Sequence, residues 1–365
     1  MNIAFFGTSL LSAHRNGAAT YFRGILRALH ARGHQVTFYE PEDPDRTQLR
    51  DLHPPAWAES VVYPNEEGAA LTEVDNARDA DLIIKTNGIG QLDPLLDEAL
   101  LDLRRPGTLV AFWDSDAPVT LSRIHADPCH PSHRLLSRFD FVFTSGCGKT
   151  LEAAYYSLGA RCCVQVLPAL DPSTHYPVPR DERFVCDLAF MGNRCAQREK
   201  LVQEYFFSAV EQLPDRHFLL AGDGWEACAM PTNARALGHL GTGCHNAFNS
   251  SARTVLNVIN PHAARYGHCP SPRLFEAAGA AACMISNPWE GIEDYFEPDY
   301  EILLANNGEE VAEQLEMLSS KHAQQIGNAA FRRILAHHTY TRRAADLEAA
   351  LESGPNASLS SAPGA

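Results

Sequence analysis

Residues 2–39 read NIAFFGTSLLSAHRNGAATYFRGILRALHARGHQVTFY, and this stretch decides the fold class. It opens on a continuously apolar run, NIAFF (2–6), and closes on a second, QVTFY (35–39). Between them Tyr21, Ile25, Leu26 and Leu29 recur at helical spacing, and Gly33 stands where a helix would stop. Strand, helix and strand make a β-α-β unit. Strands that are apolar throughout are covered on both faces, as the strands of a parallel sheet are.

The alternation continues along the chain. LIIK (82–85), TLVAFW (108–113), FVFT (141–144) and VQVL (164–167) are further expected strands of the first half. A proline-dense segment follows, LPALDPSTHYPVPRDE, with Pro168, Pro172, Pro177 and Pro179; it reads as an interdomain linker. Strands then resume at DLAFM (187–191), HFLLAG (217–222), TVLNVIN (254–260), ACMIS (282–286) and EILLA (301–305). Helical patterns fill the gaps at 196–212 and 308–319. A long one at 321–352 is broken near His337–Thr339, and the Pro/Gly/Ser-rich tail from 353 to 365 is expected to be disordered. The expectation is two α/β, Rossmann-like, doubly wound parallel-sheet domains in tandem, with ligands at the carboxyl ends of strands and in the cleft between the halves.

Composition narrows the function. A chain of 365 residues suffices for two domains with their own cores. The formal net charge of −15 argues against a general binder of phosphate backbones, so neither nucleic acid nor an anionic membrane is expected as a partner. There is no run of 18 apolar residues and no basic segment ahead of NIAFF, so neither a transmembrane helix nor a signal peptide is expected; a cytoplasmic location is. The ten cysteines contain no C-x-x-C and the 16 histidines no H-E-x-x-H, so reduced thiols are expected rather than a zinc site or a disulfide framework.

Candidate chemistry sits in strand-to-helix loops. In FMGNRCAQREK (190–200), Gly192 ends a strand, and Asn193, Arg194 and Arg198 lead into a helix. Free N–H groups and a bidentate cation suit a diphosphate. In AGDGWE (221–226), Gly222 and Gly224 let backbone approach a ligand and Trp225 could line a base pocket. In SPRLFEAAGAAACMISNPWEG (271–291), Pro272 suits a helix start, Arg273 is a third cation, and the carboxylate of Glu276 can accept two hydroxyl hydrogen bonds, as from a ribose diol. In the first half, FWDSDAP (112–118) places Asp114 and Asp116 after a strand. D-x-D can hold a metal, but an acceptor-side carboxylate that positions or deprotonates a hydroxyl fits a tandem-domain chain better. His14 is a further catalytic candidate in the glycine-punctuated loop 7–20.

These blocks resemble the CgeB-like glycosyltransferases, related to the glycosyltransferase group 1 superfamily. The resemblance is carried by DLAFMGNRCAQRE (187–199), LLAGDGWE (219–226), NSSARTVLNVIN (249–260), SPRLFEAAGAAACMISNPWEGIEDYFEP (271–298), EILLANNGEEVAEQL (301–315) and RRILAHHTYTRRA (332–344), and more loosely by FWDSDAP and FTSGCGKTLEAAYYSLGA (143–160). It implies a GT-B fold, with an N-terminal acceptor-side domain (1–170), a C-terminal nucleotide-sugar domain (180–325) and helices over 326–352 that return to the first domain. It implies a nucleotide diphosphate sugar as donor, UDP-sugar the first guess, a hydroxyl-bearing acceptor, and no metal for the chemistry. Related retaining enzymes carry an E-x7-E motif whose second Glu binds the ribose. Glu276 matches that position, and His268 stands at the first. A nucleotide-sugar 2-epimerase or a non-catalytic sugar or nucleotide binder remains open beside the transferase.

Overall fold

The computed structural model describes residues 1–13, 18–43, 50–259 and 270–355. The chain divides into two compact units. The first is Met1–Pro168 joined by the chain from Tyr340 onward, and the second is Ala169–His262 with Pro270–Thr339.

The first unit is built on β1 (Asn2–Phe6), β2 (Gln35–Pro41), β3 (Glu59–Tyr63), β4 (Leu82–Thr86), β5 (Leu109–Asp114), β6 (Phe141–Thr144) and β7 (Cys163–Gln165). They form one sheet in the order β3-β2-β1-β4-β5-β6-β7. Every pairing is parallel, with Phe5 opposite Phe38 and Ile3 opposite Leu82. The helix α1 (Ala18–Ala31) buries Tyr21, Phe22, Ile25, Leu26 and Leu29. Two residues beyond it Gly33 turns the chain with φ +95°. Phe5 anchors the packing: it stacks on Phe38 at 5.1 Å and meets Phe22 edge-on at 5.0 Å. The longer helices that accompany the sheet are α2 (Glu67–Asn76), α3 (Asp93–Leu101), α4 (Ala117–Ala126) and α5 (Lys149–Ser157), with a single helical turn at Ser132–Leu135.

The second unit repeats the plan with β8 (Leu188–Met191), β9 (Phe218–Ala221), β10 (Ala234–Gly238), β11 (Thr254–Asn257), β12 (Met284–Ser286) and β13 (Leu303–Leu304). Their order is β10-β9-β8-β11-β12-β13, again all parallel. The helical stretch after β8 is not uniform: α6 (Ala196–Val202) and α7 (Ser208–Gln212) flank a π-helical turn at Gln203–Phe207 that buries Tyr205, Phe206 and Phe207. Then come α8 (His245–Ser251), α9 (Pro272–Gly279), α10 (Gly308–Met317) and α11 (Ser320–His337). A last helix, α12 (Tyr340–Ser353), belongs to the first unit. There Glu348 receives Arg32 at 2.5 Å and His34 at 2.7 Å. Among the described residues no helix is long and apolar enough to cross a membrane.

The proline-dense segment is held rather than free. Asn246 on α8 donates to Thr174 O at 2.8 Å, and Ser251 accepts from the Asp181 amide at 2.8 Å. The segment therefore belongs to the second unit from Ala169 on. At the other end the change of unit falls at Tyr340 rather than at 326, because α11 stays with the second unit. The turn after α9 lies against α11 at Gly327, where a Cβ would meet the backbone carbonyl of Ala281.

Gly327→Ala is accordingly expected to destabilise. Alanine favours an isolated helix by about 1 kcal/mol, but overpacking against a backbone carbonyl costs about 1–3 kcal/mol. A lowered denaturation midpoint with an unchanged slope is the expected result; an unchanged or raised midpoint would show that the crossing can relax.

Candidate functional site

In both sheets the strand order reverses beside the first strand of the unit, β1/β4 and β8/β11. Open parallel sheets bind ligands at the carboxyl ends of the strands at such a point. In the second unit, β8 ends at Met191 and β11 at Asn257.

Gly192 follows β8. Its carbonyl accepts the indole N–H of Trp225 at 2.6 Å and its amide donates to Ala221 O at 2.8 Å. A Cβ at Gly192 would run into the Arg273 guanidinium, and Arg198 Cδ would lie 3.3 Å from it. The two cations therefore converge over this glycine. Arg273 Nη1 donates to Met191 O and Arg198 Nη1 to Asn193 O, which fixes both side chains while leaving N–H groups over. Desolvation, then the like charge of Arg198, lower the Arg273 pKa to about 10, with Glu276 opposing. Arg273 stays charged at neutral pH. Two like charges held together repel, and an anion between them would relieve that repulsion.

The neighbouring loop supports this arrangement. Gly222 has φ +123°, and a Cβ there would strike the Gly192 carbonyl. Asn193 Oδ1 accepts from the Asp223 amide at 3.0 Å, which ties the two loops together. Gly224 turns the chain at φ +89° and its amide donates to Glu226 at 2.9 Å. Two expectations are corrected. Trp225 is 1% exposed and packs between Phe190 and Phe207, so it braces the loop from the core instead of lining a base pocket. Arg194 is exposed and pairs with Glu199 at 2.6 Å, apart from the Arg198–Arg273 pair.

Glu276 lies on α9, is 7% exposed, and has no hydrogen-bond partner for its carboxylate among the described residues. Two histidines that the sequence did not single out stand beside it. Ligand atoms of His175, His245 and Glu276 lie within 4.8 Å of one another. Spacing along the chain could not reveal this set, since its members come from the proline-dense segment, α8 and α9. His268 lies outside the described residues, as does His14.

In the first unit the two carboxylates of FWDSDAP separate. Asp114 is fully buried. Its Oδ1 accepts from Asn87 at 2.9 Å, Thr120 at 3.1 Å and the Asp116 amide at 2.9 Å, and its Oδ2 accepts from Tyr155 at 2.6 Å. Such an occupied carboxylate is a structural post; the expectation that it acts on an acceptor is corrected for this reason. Asp116 is exposed, and desolvation, then the charge of Asp114, raise its pKa to about 6, with Arg123 opposing.

Comparison with known proteins agrees with this layout. Residues 198–349 match the family model described as "Glycosyl transferase-like". The second half of the chain carries a glycosyl transferase-like domain. No curated protein sequence matches the chain. Among solved structures it is similar to sucrose-phosphate synthase from Thermosynechococcus elongatus, at 14% identity and TM-score 0.68, over 97% of this chain and 98% of that one. It is similar to HepE of Anabaena in complex with UDP and glucose, at 14% identity and TM-score 0.67, over 97% and 100%. It is also similar to an alpha-glucosyltransferase in complex with UDP-glucose and DNA containing an abasic site, at 15% identity and TM-score 0.71, over 96% and 98%. The chain has the GT-B fold.

The two aspartates should differ on substitution. Asp114→Ala strands the buried Tyr155 hydroxyl and three other donors, and is expected to cost about 2–4 kcal/mol in chemical denaturation. Asp116 behaves oppositely. Its folded pKa lies above the ordinary carboxylate range, so its charge opposes folding above about pH 6 and that penalty is gone below about pH 4. Asp116→Asn is therefore expected to leave stability at pH 7 unchanged or raised, and a large loss there would contradict this account.

Proposed function

We propose that this protein transfers a sugar from a UDP-sugar to a hydroxyl-bearing acceptor without a metal. The observation that carries the reading is the Arg198–Arg273 pair over Gly192, at the strand-order reversal of the second unit. The family match begins at Arg198 and includes Arg273 and Glu276. Solved relatives of the fold bind UDP and UDP-glucose, which supports UDP as the leaving group. The closer kinship we propose is with the CgeB-like group, on the sequence blocks that frame these loops.

In this reading the arginine pair takes the diphosphate and stabilises the negative charge that builds on it as the glycosidic bond breaks. Glu276 accepts the two ribose hydroxyls on its carboxylate. The acceptor oxygen bonds to the anomeric carbon, UDP departs, and Asp116 receives the acceptor proton. A base with a pKa of about 6 is ionised at neutral pH and still able to accept a proton.

Titration with UDP and with uridine tests the donor site. Glu276→Ala is expected to weaken both by about 2–4 kcal/mol, roughly 30-fold or more. Arg198→Ala should weaken UDP more than uridine; equal losses would make Arg198 structural. Incubating the protein with UDP-glucose alone separates the activities. Slow release of UDP and glucose supports a transferase, a changed sugar on UDP points to an epimerase, and an untouched donor to a binding protein.

The pH profile tests the base. Turnover should rise with pH through about 6 and then level. Asp116→Asn should slow it about 10²–10⁴-fold with UDP-glucose affinity retained. Activity should survive EDTA; loss that manganese restores would overturn the metal-free reading.

A further inference from the structure

His175, His245 and Glu276 come together with their hydrogen-bonding capacity arranged in one sense. The Thr174 hydroxyl lies 3.2 Å from Asp171 O and 3.0 Å from His175 Nδ1; when it donates to the carbonyl it accepts from Nδ1. In that arrangement His175 Nδ1 carries the proton, and Nε2 is left with a bare lone pair. His245 Nε2 faces the carbonyl oxygen of Leu240 at 3.2 Å, and a carbonyl only accepts, so this nitrogen carries the proton. That leaves Nδ1 of His245 bare, and it is a buried atom without a partner. Glu276, a buried residue, brings its carboxylate beside them. Two imidazoles and a carboxylate thus lie with ligand atoms within 4.8 Å of one another, an arrangement that suits a cation.

We propose that His175, His245 and Glu276 form a binding site for a divalent transition-metal ion, with zinc the best match. Two imidazoles and one carboxylate suit zinc with an open fourth position. Each imidazole already donates its other N–H to an oxygen, as metal-ligating histidines do. Zinc bonds of about 2.0–2.2 Å place ligand atoms about 3.3–3.5 Å apart in a tetrahedron. The present separations, within 4.8 Å, close by side-chain rotation. The backbone around His175 is held by Asn246, which bonds Thr174 O and the Tyr176 amide. Because Glu276 is shared, the ion and the ribose compete for one carboxylate; this second part rests on the donor reading above. Zinc would then hold the site in a form that excludes donor, in contrast to a metal that assists chemistry.

The test uses the full chain stripped with a chelator and titrated with zinc chloride, then with cobalt(II) to read the ligands. One tight equivalent is expected, at least ten-fold weaker in His175→Ala and in His245→Gln. The cobalt spectrum should show ligand-field bands of a low-coordinate ion and no sulfur charge-transfer band, which separates this set from the exposed Cys129 and Cys195. No binding, or binding unchanged in both histidine variants while they stay folded by circular dichroism, overturns the site. Saturating zinc should weaken UDP-glucose binding at least ten-fold in the parent protein and not in His175→Ala. Zinc binding without any UDP-glucose binding leaves the metal site standing and sinks the donor reading. Both ligands binding independently overturns the competition.

Discussion

The missing side chain at Gly192 is the constraint on which the second unit's site depends. Gly192 directly follows β8, and both its peptide groups are already committed, the carbonyl to Trp225 and the amide to Ala221. Only without a Cβ can Arg273 descend onto the end of the strand, and only then do Arg273 and Arg198 share one space. Gly222 is bound by the same requirement from the other side, because its own Cβ position is filled by the Gly192 carbonyl. Two backbones and a guanidinium therefore approach more closely than any other residue type would allow. The electrostatic character of the site follows from this steric fact.

The first unit solves a different problem with two neighbouring carboxylates. Asp114 is sealed in and saturated with donors, joining the loops after β4 and β5 through Asn87 and reaching α5 through Tyr155. Asp116, two residues on, reaches the surface with a proton affinity raised by desolvation and then by the charge of that buried neighbour. One carboxylate shapes the loop and the other is tuned by it. Two residues of identical chemistry and adjacent register thus take unrelated roles, and only burial distinguishes them.

That distinction also marks how far the sequence could be read. The central strands were legible because continuous apolar runs such as LIIK and FVFT suit only doubly covered strands. The edge strands β3 and β10 were not. ESVVY and ARALG are mostly half-exposed and carry no such run. Gly33, Arg198 and Arg273 could be found by position relative to strands and helices. His175 and His245 could not, since nothing local pairs a residue in a proline-dense segment with one opening a helix 70 residues later. Trp225 misled for the opposite reason: an aromatic residue in a glycine turn has the composition of a ligand platform, and only packing shows that its ring faces the core.

The placement of α12 has a consequence for the order in which the protein is made. The first unit is discontinuous: its sheet is complete by β7, yet Tyr340, which covers Gly24 of α1, and Glu348, which pairs with Arg32 and His34, follow the whole of the second unit in the chain. The second unit is interior to the chain and leaves the ribosome before the helix that completes its predecessor. Domains emerging in sequence usually fold from the N-terminus onward. Here the earlier unit must wait with part of α1 uncovered while the later one is made. The seam between α1 and α12 thus closes only after the whole second unit has been made.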